Sequence, residues 1–228
     1  MFRSGWGAMI DMSVVAEALP VLLKGLKVTA LVSALGIPLG LVVGTVIAYF
    51  TLVGSSALKW FARSYIECVR NVPFLIIVYF AYFGLPKTGL RTDAFHVAVL
   101  TTAFYTAGYF SELMRAAILS VPKGQMQAAV SLGMSYWRAQ RLIIFPQLLG
   151  FLIPPTTSLV IMMFKDTAIF SVITLPELTY QSNVEVSESF AYVEILGTTA
   201  LIYWVSSWFI DFAGHRFNRH ALRWKARP

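Results

Sequence analysis

The chain has 228 residues, 57% of them hydrophobic and only 13% charged, with a formal net charge of +7. A mean hydropathy of +0.69 excludes an ordinary soluble domain and points to an all-α polytopic membrane protein. Cys68 is the only cysteine, which rules out an internal disulfide and a cysteine-based metal cluster. The basic residues are spread along the chain instead of clustering on one module, so they read as topology signals and not as a nucleic-acid footprint.

Residues 1–17 lack the basic start, unbroken apolar run and small-residue cleavage site of a secretory signal. Residues 8–27 hold Asp11, Glu17, Lys24 and Lys27 and are interrupted by Pro20. A short, partly amphipathic segment at an interface is expected there, not a crossing. Val28 to Leu58 carries no charge and is ample for a first span, since about 20 apolar residues cross a bilayer core. Gly36, Gly40 and Gly44 recur at four-residue intervals within it, a spacing that lets another helix approach closely.

Lys59, Arg63, Glu67 and Arg70 follow at spacings of four, four and three, one charged stripe on a helix. That helix is expected over residues 57–84, starting in water and kinked near Pro73. A loop with Pro86, Lys87, Gly89 and Arg91 leads to a third span at 94–118, with Glu112 and Arg115 three residues apart near its end. The fourth span, Leu142 to Phe164, contains Pro154 and Pro155; the expectation is a broken helix, tolerated where the freed backbone is buried or lines a polar cavity. It closes on Lys165, Asp166, Thr167 and Ala168. Residues 166–194 hold five acids and neither Lys nor Arg, and a fifth span covers 190–212. The tail holds Arg216, Arg219, Arg223, Lys225 and Arg227 with no acid. Loops rich in Lys and Arg stay cytoplasmic, which puts the tail inside, the acidic connection outside and, with five spans, the N-terminus outside.

Ser120 to Pro146 is neither a span nor a short connection. Met126, Ala129, Val130 and Gly133 fall at i, i+3, i+4 and i+7, the spacing of one helical face. Gly133 suits the left-handed position after a helix end. Ser135 can cap a second short helix carrying Arg138 and Arg141, which Pro146 is expected to stop. The pattern predicts a helix, a glycine corner and a helix, an elbow on the cytoplasmic side.

The order Gln127-Ala128-Ala129, three residues, Gly133, nine residues, Ile143, one residue, Phe145-Pro146 resembles the EAA loop of ABC importer membrane subunits. Gln127 stands where that family has Glu and Phe145 where it has Leu. Arg70-Asn71-Val72-Pro73-Phe74-Leu75 and Lys165-Asp166-Thr167-Ala168 are similar to the Arg-x-x-Pro-x-Leu and Lys-Asp-Thr-Ser segments of the polar amino acid uptake family of these permeases, with Ala168 replacing Ser.

The resemblance implies one transmembrane permease domain over residues 1–228, with the five transmembrane helices of the type I ABC importer permease fold. Gln127, Ala128, Ala129, Gly133 and Arg138 would couple it to a cytoplasmic ABC ATPase dimer. Further partners implied are a second permease subunit, identical or homologous, a periplasmic solute-binding protein, a polar amino acid substrate and the lipid of a bacterial inner membrane. Transport would run by alternating access.

No Gly-x-x-x-x-Gly-Lys-Ser/Thr loop occurs, so ATP and Mg would be bound by the partner ATPase and no cofactor is expected in this chain. His96, His215 and His220 show no metal-ligand spacing, and Ser, His and Asp occur in no hydrolase motif order; the chain is expected to catalyse no covalent chemistry. Charges are costly at membrane depth, which singles out Lys165, Asp166, Glu112 and Arg115 as a substrate pathway, with Thr167 beside them as a neutral donor. The plainer alternative is that the charged members pair with one another or snorkel at helix ends. A rival reading of the chain is a non-transporting membrane anchor or assembly subunit of a redox complex; another is a secondary transporter, for which five spans without a repeat are few.

Overall fold

Asp11 opens the first helix, its carboxylate accepting from the Ser13 backbone N–H at 2.9 Å. The computed structural model describes residues 11–89 and 93–222; the start of the 8–27 segment, Arg91, and Arg223, Lys225 and Arg227 of the tail lie outside them. Helix α1 runs unbroken from Met12 to Val53, with Pro20 and Pro38 inside it. The expected interfacial segment before the first span is therefore the first part of one long helix. A proline inside a helix removes one hydrogen bond, at a cost of about 3 kcal/mol. Next to Pro20 that loss is outweighed by burial, because Ala18 and Leu22 form a core with Leu178, Val186 and Ile195.

Helix α2 (Ser56–Asn71) meets the run Phe74–Thr88, which opens with helix α3 (Phe74–Tyr79), at 108°. The expected single kinked helix is thus two separate arms. Val72, the residue before Pro73, is extended at φ −99°, ψ 128°, the conformation that the proline ring imposes on its predecessor. After α3 a wide π turn (Phe80–Gly84) and a 3-10 turn (Leu85–Thr88) end at Gly89, whose φ of 91° is left-handed.

Helix α4 (Ala94–Ser120) is the central element, close to the expected third span. It is capped by Asp93, which accepts from the His96 backbone N–H at 2.9 Å. The glycine ridge of α1 lies against it. A Cβ on Gly40 would stand 2.5 Å from Thr106 Cβ, one on Gly36 2.8 Å from Thr102 Cβ, and one on Gly44 2.8 Å from the Ala107 carbonyl oxygen. Each distance is below any real Cβ contact, so the four-residue spacing marks a backbone-to-backbone seam.

Helix α5 (Lys123–Ser131) and helix α6 (Tyr136–Ala139) form the elbow. Pro146 does not stop the second helix. A wide turn at Gln140–Ile144 leads into helix α7 (Phe145–Asp166), where Pro146 occupies the first turn and needs no donor. Nor is α7 broken at Pro154 and Pro155. The helix continues through them while the next hydroxyls hold the backbone, Thr156 donating to the Leu152 carbonyl at 2.7 Å and Thr157 to the Ile153 carbonyl at 3.1 Å. A 3-10 stretch (Thr167–Ile173), helix α8 (Leu178–Ser189) and helix α9 (Tyr192–Ala221) complete the chain.

Among the described residues, α1, the run 136–173 and α9 are long and apolar enough to cross a membrane, and the bent 56–88 pair makes a fourth if counted as one span. Helix α4, with 27 residues, spans about 40 Å at 1.5 Å per residue. Its apolarity is diluted by Thr101, Thr102, Tyr105, Thr106 and Ser111, which are buried against neighbouring helices.

Candidate functional site

The elbow is built by its corner. Gly133 has φ 81°. Its N–H donates to the Val130 carbonyl at 2.9 Å and the Met134 N–H to the Ala129 carbonyl at 3.1 Å, the paired bonds of a Schellman helix end. A Cβ at Gly133 would meet nothing within 4 Å, so the constraint there is backbone conformation and not space. Ser135 stands at the start of α6 as expected, but its side chain makes no capping bond; its carbonyl accepts from the Ala139 N–H at 2.9 Å. Of the motif residues, Ala129 is buried, whereas Gln127, Ala128 and Arg138 are exposed. Beside them Leu132 and Trp137 stand 84% and 80% exposed. Neither was singled out from the sequence, where one apolar residue beside a glycine carries no distinguishing pattern.

The charged residues expected on the substrate pathway divide into two groups. Asp166 ends α7 half-buried. The Tyr105 and Tyr109 hydroxyls lie 3.3 Å apart, one helical turn from each other on α4. Lys165 is exposed and forms no ion pair with Asp166. Thr167 is buried, its hydroxyl donating to the Phe164 carbonyl at 2.7 Å. The two tyrosines belong with this group and were missed in the sequence; their i, i+4 spacing in a third span of mixed polarity was the available signal.

Glu112 and Arg115 sit two turns further along α4, about 10 Å from the level of Tyr105 at 1.5 Å per residue. They are paired with each other: the guanidinium donates to both carboxylate oxygens, Nη2 to Oε2 at 2.8 Å and Nε to Oε1 at 3.0 Å. Thr51, Arg63, Ile66, Glu67 and Arg70 complete the rim of a 260 Å³ cavity around this pair. The charged stripe of α2 therefore faces α4, not open solvent alone. The structure does not bring the Glu112 pair together with Lys165 and Asp166.

At the opposite end of α1, Glu177 is 0% exposed. It caps α8, accepting from the Tyr180 N–H at 2.7 Å and the Thr179 N–H at 2.9 Å. The Tyr203 hydroxyl donates to it at 3.2 Å and the Thr29 hydroxyl at 3.5 Å. Burial pushes its carboxyl above the usual carboxylate range, against the pull of those hydrogen bonds.

Residues 36–223 match the family described as the inner membrane component of binding-protein-dependent transport systems. The chain is 35% identical over 199 residues to the probable amino-acid ABC transporter permease protein YckA of Bacillus subtilis, covering 87% of this chain and 88% of that one. It is 34% identical to the glutamine transport system permease protein GlnP of Escherichia coli, over 92% of this chain and 96% of that protein. A crystal structure of an amino acid ABC transporter with histidines superposes with a TM-score of 0.84 at 32% identity, over 93% of this chain and 99% of that chain. The redox-anchor alternative finds no support among these likenesses. Glycine seam, elbow and sequence likeness agree: the chain belongs to the family of inner-membrane permease components of binding-protein-dependent transport systems, among its amino-acid ABC transporter permeases.

Proposed function

We propose that this permease moves polar amino acids inward across the bacterial inner membrane by alternating access, as one of a pair of permease subunits. The observation that carries the reading is the elbow, a rigid glycine corner with Leu132 and Trp137 held out from the fold. Large apolar side chains exposed at a rigid corner suit a protein partner. The partner is a cytoplasmic ATPase dimer, which binds ATP and Mg and supplies the hydrolysis. Closure of that dimer pushes on the elbow, and α6 passes the displacement into α7 through one nearly continuous helical run. A periplasmic binding protein delivers the solute from the other side.

In this reading the elbow and the basic end of α9 face the cytoplasm, the acidic 177–194 connection and the N-terminus face the periplasm, and the 56–88 pair and α4 complete five spans. Lys165 and Asp166 meet the carboxylate and ammonium of the solute, with Thr167 beside them. The names of relatives, for glutamine and for glutamate/aspartate transport, favour a small polar amino acid.

The test is labelled amino-acid uptake and ATP hydrolysis in proteoliposomes holding the full complex with loaded binding protein. Lys165→Met and Asp166→Asn are each expected to reduce uptake at least tenfold while the ATPase stays bound. Normal uptake by both variants places the solute site elsewhere. Orientation is checked separately in a Cys68-free background: a cysteine replacing Glu185 is expected to label with an impermeant reagent on whole cells, and one replacing Arg219 is not.

A further inference from the structure

The polar cavity at the elbow end of α4 is left unused by the pathway above. Its charges are unevenly satisfied. Glu112 and Arg115 neutralise each other through both oxygens. Glu67 accepts from Asn71 Nδ2 through Oε2 at 3.0 Å, which leaves Oε1 open. Arg63 and Arg70 form no ion pair among the described residues, although both line the same 260 Å³ space. What remains around the cavity is two guanidinium forks and one carboxylate oxygen.

That set is specific in its chemistry. A guanidinium presents a planar donor fork that matches a carboxylate in two-point contact. The lone Glu67 oxygen accepts from a cation and repels an anion placed beside it. A ligand that satisfies both carries an anionic group and an ammonium close together, as an α-amino acid does. A phosphate diester without an amine supplies only the first, whereas a phosphatidylethanolamine headgroup supplies both and is a competitor to be tested.

We propose that this cavity is a second amino-acid site, on the elbow face of the permease, which holds the carboxylate between Arg63 and Arg70 and the ammonium against Glu67. The site stands about 10 Å along α4 from the Tyr105 level, so it is separate from the Lys165 and Asp166 pathway. It takes the amino acid present on the elbow side of the membrane. The inference rests on the reading of the solute as an amino acid.

The experiment is equilibrium binding of tritiated L-glutamine, L-glutamate and L-arginine to the complete importer in phosphatidylcholine nanodiscs without binding protein. The permease carries Lys165→Met and Asp166→Asn, so that only the elbow-side site is read. At least one probe is expected to bind, and Arg63→Gln with Arg70→Gln is expected to weaken it about tenfold or more. Lys59→Gln, which removes a charge from the same stripe outside the cavity, is expected to change binding less than twofold. If the double glutamine variant fails to assemble, Arg63→Lys with Arg70→Lys keeps the charge and loses the fork, and an intermediate affinity is expected.

Absence of binding, or binding unchanged by these substitutions, overturns the site. So does N-acetyl-L-glutamine competing as well as L-glutamine, because Glu67 would then have no ammonium to meet. Displacement of every probe at equal potency by inorganic phosphate, added phosphatidylglycerol or added phosphatidylethanolamine reassigns the cavity to a phosphate or lipid headgroup and overturns it too. Wild-type uptake keeps the two readings apart. If proteoliposomes take up no amino acid, the proposed function fails; if uptake is normal and no probe binds at the elbow side, only the second site fails.

Discussion

The two ends of the α1–α4 pair handle charge in opposite ways. At one end Glu177 is sealed from solvent and accepts from two backbone N–H groups and two hydroxyls, drawn from α1, α8 and α9. At the other, Arg63 and Arg70 stand around an open cavity with no ion-pair partner among the described residues. A buried carboxyl with every oxygen used fastens helices together, and removing it leaves orphaned donors. An open charge with its donors unused adds little to stability and is available to something that arrives. The two ends therefore predict different failures.

Glu177→Ala should give the largest loss of stability. It removes a cap, worth about 0.5–2 kcal/mol, and leaves buried donors unsatisfied at a further cost of about 1–3 kcal/mol. A fall in melting temperature of the detergent-solubilised protein, together with lower membrane yield, is the expected result; an unchanged melt would mean that the four hydrogen bonds hold nothing.

Gly133→Val tests the other end. A β-branched residue in the left-handed corner costs about 1–2 kcal/mol, less than the Glu177 loss, so the protein should still insert. Uptake should nevertheless drop to background, with ATP hydrolysis uncoupled or the ATPase poorly bound. Wild-type uptake by this variant would remove the elbow from the coupling scheme.

The smallest effect expected is a difference in pH dependence between the wild type and Glu177→Gln. The native carboxyl titrates above its ordinary value of 4.5. The folded protein therefore holds a proton that the unfolded chain has already released in that window. Stability from this group is present at low pH and is lost as pH rises through the raised native value. The wild-type melting temperature should fall as pH rises above 4.5 more steeply than that of Glu177→Gln. Parallel slopes would show that the carboxylate is ionised in the fold throughout. Glutamine keeps one acceptor oxygen but sets an amide donor where the other oxygen stood, opposite N–H or hydroxyl donors, so its melt near neutral pH should fall, though by less than that of Glu177→Ala.

What the sequence revealed followed the range of the interactions involved. The glycine ridge was legible because Gly36, Gly40 and Gly44 repeat at the period of one helix face. The elbow was legible because a Schellman corner is set by neighbours a few residues apart. The prolines were harder. Pro73 breaks its helix outright, through the extended Val72, whereas Pro20, Pro38, Pro154 and Pro155 are carried inside continuous helices. Whether a proline bends a helix depends on packing that compensates for one missing hydrogen bond, and that packing comes from distant segments. Glu177 was invisible for the same reason. Along the chain it is one more acid in an acidic connection, like Glu185, and its burial depends on Thr29 and Tyr203, which lie 148 and 26 residues away. The Arg63 stripe was visible as a stripe, but its cavity exists only once α2 faces α4.

The glycine seam has a mechanical consequence. Where α1 and α4 touch through Gly36, Gly40 and Gly44, backbone rests on neighbouring threonines and carbonyls with no flexible side chain between to absorb a slide. Two helices locked this way move as a single beam. Any hinge must lie where the chain is not locked, and the 108° bend between α2 and the run that α3 opens and the left-handed Thr174 between Ile173 and α8 are the joints that flank the beam. In the proposed transport cycle, alternating exposure of the two faces would then be the pivoting of one stiff member about such joints, not the bending of its helices.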